Sequence, residues 1–158
     1  GAAWVEATRG DFTFYVQGMT PGVIRVMKAL DAERLDVAKA FGHTLLPVGA
    51  EMQRYGTVES SVTDTDDLVA AISGGKANQR IKAPDSLSHR YYLEDFGHGL
   101  LPFVELASIA GVPVPTAQSL LNLGIALSGV DYRSRGRTAD SMGIAGLDRD
   151  ALLSQVRG

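Results

Sequence analysis

The sequence predicts an all-α fold, on three observations. Apolar residues recur mostly at three- and four-residue spacing along most of the chain. Helix-start and helix-stop residues bracket those runs. No alternation of strand and helix signals appears that would indicate a parallel sheet with crossover helices.

Residues 12–16 (Phe-Thr-Phe-Tyr-Val) are the exception, an aromatic and β-branched run that suits a short strand or an extended lead-in. Thr20-Pro21 then marks a helix start, with a hydroxyl at the N-cap and proline at the first helical position. Val23, Ile24, Met27, Leu30, Arg34, Leu35, Ala38 and Phe41 continue it as an amphipathic helix that ends at Gly42, suited to a left-handed cap. A shorter helix is expected from Val48 to Tyr55, after Pro47. Thr63 to Asp67 offers several N-caps and first-turn acids to a helix with Leu68, Val69 and Ile72 on its apolar side, stopped by Gly74-Gly75. Residues 76–88 are polar, contain Pro84, and suit a loop.

A helix from about Gly97 to Ala110 carries Leu100, Leu101, Val104, Leu106 and Ile109, and requires Pro102 to lie in its first turn. Gly111 to Pro115 is a hard break. Thr116 is expected to cap the next helix, through Leu127, which is apolar on most sides and so expected at the centre of the core. Gly136 to Gly146 is a glycine-punctuated connector, and Asp148 caps a final helix through Val156.

Composition bounds function. At 158 residues the chain suits one domain, with a core large enough to need no staples. A net charge of −3 argues against a general nucleic-acid-binding surface. The absence of cysteine excludes disulfides and thiolate-ligated metals, and fits a cytoplasmic protein. No apolar run approaches the roughly 20 residues that cross a bilayer. The opening residues lack a signal-peptide layout, and Gly1 suggests a trimmed or engineered start. There is no strand followed by GxGxxG and no GxxxxGK loop, so the chain is not expected to hold a nucleotide alone.

The chemistry-bearing residues concentrate at one place. Arg90, Glu94, Asp95 and His98 fall within nine residues at the mouth of an apolar helix. A guanidinium grips a carboxylate through paired hydrogen bonds. A carboxylate can orient a histidine, steady an imidazolium or hold a substrate ammonium. Five helical steps would separate Arg90 and Asp95 widely in azimuth, whereas an extended-then-helical segment would let both face one cleft. Spacing alone is a weak signal and favours a surface salt bridge with Asp95 as a helix cap. Glu94 either raises the pKa of Asp95 or turns away to pair with Arg90 or another base.

R-Y-x-x-E-D-x-x-x-G-L (Arg90, Tyr91, Glu94, Asp95, Gly99, Leu100) with Leu101-Pro102, then G-V-P-x-P-T (Gly111 to Thr116) and D-Y-x-x-x-G-R-T (Asp131 to Thr138) form an ordered set. Together with the stretch from Phe14 to Arg34, the set resembles the C-terminal substrate domain of the opine (octopine/nopaline) dehydrogenases. The resemblance implies a helical bundle like the C-terminal domain of 6-phosphogluconate-dehydrogenase-like two-domain enzymes. It implies NAD(P)H-dependent reductive condensation of a 2-oxo acid with an amino acid. Carried over by position, Arg90 would bind the oxo-acid carboxylate. Asp95 would be the catalytic partner of a histidine, and His98 is close enough to touch substrate. NAD or NADP would be held mainly by an N-terminal dinucleotide-binding domain that these residues do not contain, and the chain alone is expected to be inactive. The family's catalytic histidine lies in an Asn-Pro…His-Pro-like stretch between the domains. No such stretch is present, and none of His43, His89 and His98 stands at the matching place.

His43 fits a helix C-terminus, and His89 a solvated position. The three histidines have no metal-site spacing, so no metal is expected. Arg133, Arg135 and Arg137 either pair with Asp131, Asp140 or Asp148, or meet a phosphate or carboxylate across a cleft. Trp4, Phe12, Phe14 and Tyr15 either pack on the nucleotide domain or seal the bundle. Exposed apolar faces leave a homodimer open. Two other readings stand beside the enzyme: a non-catalytic helical dimerisation or interaction module, and the substrate domain of a related 2-hydroxyacid or ketopantoate-type dehydrogenase.

Overall fold

A computed structural model describes all 158 residues. It is helical and has no strands, as the periodicity predicts. The elements are α1 (Ala2–Thr8), α2 (Pro21–Ala40), α3 (Val48–Arg54), α4 (Leu68–Gly74), α5 (Arg90–Glu94), a π-helical turn (Asp95–Leu100), α6 (Leu101–Ala110), α7 (Pro115–Ser128), α8 (Tyr132–Arg135) and α9 (Arg149–Arg157). No helix is long and apolar enough to cross a membrane. The residues divide into two compact units, one of 1–32 and 46–87, the other of 33–45 and 88–158.

In the first unit, Thr20 begins α2 as its sequence indicates, accepting the Val23 N–H on its hydroxyl at 3.4 Å. Met19 and Ile24 pack with Leu68 and Ile72 of α4, and Met27, Val48 and Met52 close over them. Asp67 caps α4 by accepting the Ala70 N–H at 3.2 Å. The buried Asn78 donates from its amide to the carbonyls of Ile72 and Thr57, which fixes the chain after α4. Residues 12–16 form no strand. Thr13 makes a single antiparallel bridge with Lys82, and the chain then turns. The reason is Gly10 and the turn at 14–18, which leave too few extended residues for a ladder.

The helix α1 was not expected. It ends at Arg9 and Gly10, both in the left-handed region at φ 52° and 74°. Gly10 lies so close to the Ala83 and Pro84 carbonyls that a Cβ would overlap them. Trp4 of α1 lies flat on Phe12 with ring centroids 4.0 Å apart, and Phe14 meets Tyr15 edge-on. Phe12 seals the small core with Val5 and Ala83, while Trp4 stays 40% exposed.

In the second unit, the core is Leu101, Leu121 and Tyr132, each at most 1% exposed, with Phe96, Leu100, Val104, Ile125 and Val130 around it. Gly42 ends α2 at φ 82°, as its position predicts. The inward-facing residue of α2's fourth turn is Glu33, however, not Arg34. Glu33, 9% exposed, accepts the backbone N–H groups of Thr116 at 2.6 Å and Ala117 at 2.9 Å. This corrects the expected role of Thr116. With Pro115 at the first helical position, the N-cap falls on Val114, whose side chain has no acceptor. The carboxylate from α2 therefore satisfies the open N–H groups of α7 and places a negative charge at the positive end of its dipole.

The helix α7 is also less enclosed than its composition suggests. Ala117, Leu121 and Gly124 form its buried line, while Leu123 and Leu127 are 54% and 44% exposed. Asp148 caps α9 as expected, accepting the Ala151 N–H at 2.8 Å.

Candidate functional site

The segment expected to become helical at Gly97 is helical from Arg90. His89 is its N-cap, with Nδ1 accepting the Tyr91 N–H at 3.3 Å and its ring edge-on to Tyr91. His89 is thus half-buried and engaged, not solvated. The helix runs through α5, changes to π geometry at Asp95–Leu100, and continues as α6.

Pro102 stands in the first turn of α6, as the sequence requires, and it accounts for the change of geometry just before it. A proline inside an α-helix lacks an N–H and presses its ring against the carbonyl four residues back. Here the turn widens, and Leu101 donates five residues back, to the Phe96 carbonyl. In that register Pro102 faces the carbonyl of Gly97 and has no donor for it. The Arg137 N–H supplies one, at 2.8 Å. Gly136 packs so tightly on Gly97 that a Cβ on it would overlap the Gly97 and Tyr132 carbonyl oxygens. A proline in one helix is thereby answered by a backbone amide 35 residues later.

Phe96 anchors the same turn on its other side. Its ring stacks on Tyr132 at 5.4 Å and nearly parallel to Tyr92 at 6.2 Å. The ring edge fills the space that a Cβ on Gly124 would occupy. Tyr132 in turn donates from its hydroxyl to Ser128 Oγ at 3.0 Å. π-turns inside α-helices are frequent at functional positions, and this one carries Asp95 and His98.

Arg90 does not meet Asp95. Its Nη1 lies 3.1 Å from Glu94 Oε2, one helical turn on, with the two side chains 67% and 57% exposed. The guanidinium carbon also lies 5.4 Å from the centre of the Tyr91 ring. The Asp95 carboxylate accepts no hydrogen bond within the chain, and the residue is exposed. Even so, the neighbouring chain strips part of the hydration from its carboxyl. That loss, with the charge of Glu94 beside it, raises the carboxyl above the usual aspartate value of 3.8, and Arg90 pulls the other way. Glu94 thus does both of the things open to it: it pairs with Arg90, and it disfavours the charge on Asp95. His98 is exposed on the π-turn, and its ring makes no hydrogen bond within the chain. His43 follows Gly42 at the end of α2, far in sequence from this cluster.

The arginines after α7 do not pair with the acids near them in sequence. Asp131 is engaged with the Arg133 N–H and Asp148 with α9. The Arg133 guanidinium reaches Asn122 Oδ1 at 3.4 Å, and those of Arg135 and Arg137 form no ion pair. What the sequence left unread is the junction that brings this segment onto the π-turn. Its only local signal is Pro102, in the first turn of α6.

No group of His, Asp and Glu side chains is placed to hold a metal ion. No strand, glycine-rich turn and helix follow one another here in the arrangement that cradles a dinucleotide.

A profile of the α-helical domain of NAD/NADP octopine/nopaline dehydrogenases matches residues 1–128. The chain is 34% identical over 145 residues to an opine dehydrogenase of Arthrobacter sp. (strain 1C), covering 92% of this chain and 39% of that protein. It is 25% identical over 145 residues to a vitopine synthase of Allorhizobium ampelinum, again covering 39% of it. An octopine dehydrogenase solved with NADH and agmatine superposes with a TM-score of 0.69 at 23% identity, over 89% of this chain and 40% of that one; this likeness bears on fold. The chain spans about two-fifths of the length of these relatives. Profile, relatives and fold agree: the chain belongs to the octopine/nopaline dehydrogenase family, as its α-helical domain.

Proposed function

We propose that this domain binds and orients the substrates of an opine-forming oxidoreductase. The intact enzyme would join a 2-oxo acid to the amine of an amino acid, with NADH or NADPH as reductant held by a separate dinucleotide-binding domain. The observation that carries the reading is the α5–π-turn stretch of a family member. It presents an arginine suited to a carboxylate and, one residue past the next turn, an aspartate whose carboxylate has no hydrogen bond inside the chain. Arg90 would take the oxo-acid carboxylate through parallel N–H bonds. Asp95 would orient a histidine supplied from outside these residues, or hold the substrate ammonium. Its raised pKa marks a carboxyl poised nearer the range useful for proton handling. His98, beside it and unengaged, would contact substrate.

Alone, the chain is expected to be folded but without NADH oxidation, since neither the cofactor's fold nor the remaining acid–base group lies within it. The test is NADH and NADPH oxidation by the full-length enzyme, with 2-oxo acids against a panel of amino acids. Turnover that needs both an oxo acid and an amine is the expected result. Arg90→Ala should mainly raise the oxo-acid KM, and Asp95→Asn mainly lower kcat. Turnover with an oxo acid alone would move the reading to a simple reductase of the related families. Near-wild-type kinetics for both variants would remove the site assignment.

A second reading, a helical interaction module, draws on the exposed Arg90–Glu94 bridge and on the exposed Leu123 and Leu127 of α7. The two are separated by the same assay, because such a module has no turnover to lose.

A further inference from the structure

We propose that Glu94 is the internal occupant of the oxo-acid carboxylate site: it holds the Arg90 guanidinium until a substrate carboxylate displaces it, and so sets the affinity for the oxo acid. The inference rests on the reading of Arg90 as the carboxylate-binding residue and adds to it a residue that competes for the same atoms.

Three observations support it. The first is occupancy. Glu94 Oε2 is 3.1 Å from Arg90 Nη1, and no other acid pairs with Arg90. The second is that the contact is built to be exchanged. It uses a single nitrogen of the guanidinium, both side chains are more than half exposed, and a surface pair at this helical spacing changes an equilibrium by only about twofold. An incoming carboxylate can engage two nitrogens at once, which is the stronger geometry. The third is position. The Arg90 guanidinium also lies over the Tyr91 ring, a contact that remains when Glu94 is lost. The cluster of Arg90, Glu94 and Asp95 carries one net negative charge when all three are ionised, which opposes an anionic substrate. Without the Glu94 charge it is neutral.

The same residue tunes Asp95. Other ionisable groups on the turn and on the helices packed against it are His98, Glu105 on α6, Asp131 at the N-cap of α8, Arg133 and Arg135 on α8, and Arg137 beyond it. The neighbouring α7 brings no ionisable side chain. Glu94 and Arg90 are the charges that act on Asp95, in opposite directions.

The test uses full-length enzyme and Glu94→Gln, which keeps the side chain's length and removes its charge. The oxo-acid KM is expected to fall by roughly two- to fivefold at low salt, and the effect to shrink as ionic strength rises. The KM values for amino acid and dinucleotide should stay within experimental error. The acid limb of the kcat/KM profile should move to lower pH, because Asp95 loses the neighbouring charge that resists its ionisation. Arg90→Ala and the double variant serve as controls. In the Arg90→Ala background, Glu94→Gln should no longer lower the oxo-acid KM. An unchanged or higher oxo-acid KM for Glu94→Gln, with Arg90→Ala still raising it, would overturn this inference and leave the site reading intact. An equal fall in the KM values of both substrates would overturn it as well, since a general field effect would explain both. An oxo-acid KM unaffected by Arg90→Ala would remove the site reading, and this inference with it.

Discussion

Gly124→Ala is a substitution that in most helices would help. In a helix interior, alanine is favoured over glycine by about 0.8–1 kcal/mol. Here the new methyl would overlap the edge of the Phe96 ring, and even the third-nearest ring atom, Cζ, lies 3.1 Å away. Carbon atoms prefer about 3.5–4.0 Å. The ring has little room to retreat, being stacked on the fully buried Tyr132. Overpacking of this kind costs about 1–3 kcal/mol. Subtracting the helical gain leaves Gly124→Ala destabilising by about 1 kcal/mol, with a fall in Tm of roughly 2–4 °C. The sign should reverse once the ring is gone. In a Phe96→Ala background the methyl meets open space, and Gly124→Ala should stabilise by up to about 1 kcal/mol. Urea unfolding of the wild type, both single variants and the double variant, followed by far-UV circular dichroism, gives the coupling energy directly. A coupling near 1–3 kcal/mol is expected. Equal effects of Gly124→Ala in the two backgrounds would refute the seating of Phe96 against Gly124, and with it this account of what fixes the π-turn.

Glu33→Ala should destabilise by about 2–3 kcal/mol, because it leaves the Thr116 and Ala117 N–H groups without their acceptor in a buried place. Glu33→Gln, which keeps one oxygen, should cost about half as much; equal unfolding midpoints for wild type and both variants would dismiss the cap. Asp95→Asn should make the chain more stable at neutral pH. The folded state raises this carboxyl's pKa, so Asp95 favours folding below the ordinary aspartate range and loses that contribution as pH rises through the raised value. The stability gap between variant and wild type should therefore narrow as pH falls from 7 toward 4. A gap that widens instead would contradict the assigned direction.

Much of the fold was legible because it is decided locally. Thr20-Pro21, Gly42, Asp67 and Asp148 start or stop helices through bonds to residues three or four away, and each does so here. What was not legible depends on partners far along the chain. Thr116 reads as a cap until Glu33, 83 residues earlier, is brought to the same helix end. Arg34 and Glu33 are adjacent, and three-to-four spacing alone does not say which of two neighbouring turn positions faces inward. For the site, the cluster of Arg90, Glu94 and Asp95 was legible as a cluster, and the pairing of Arg90 with Glu94 is what i, i+4 spacing favours. The geometry that carries Asp95 was not, because a π-turn shifts the phase of everything after it, and the first-turn place of Pro102 does not by itself show that the helix continues ahead of it.

The amide of Arg137 gives the chain a natural reporter. It sits in an exposed stretch outside any helix, where backbone hydrogens ordinarily exchange with solvent quickly, yet it is bonded to Gly97 in the middle of the π-turn. Its exchange rate is thus set by how often that turn opens, not by the mobility of its own segment. Protection of this one hydrogen would let the opening of the Asp95-bearing turn be timed without touching any residue of the site, and slowing of that exchange on adding an oxo acid would register binding.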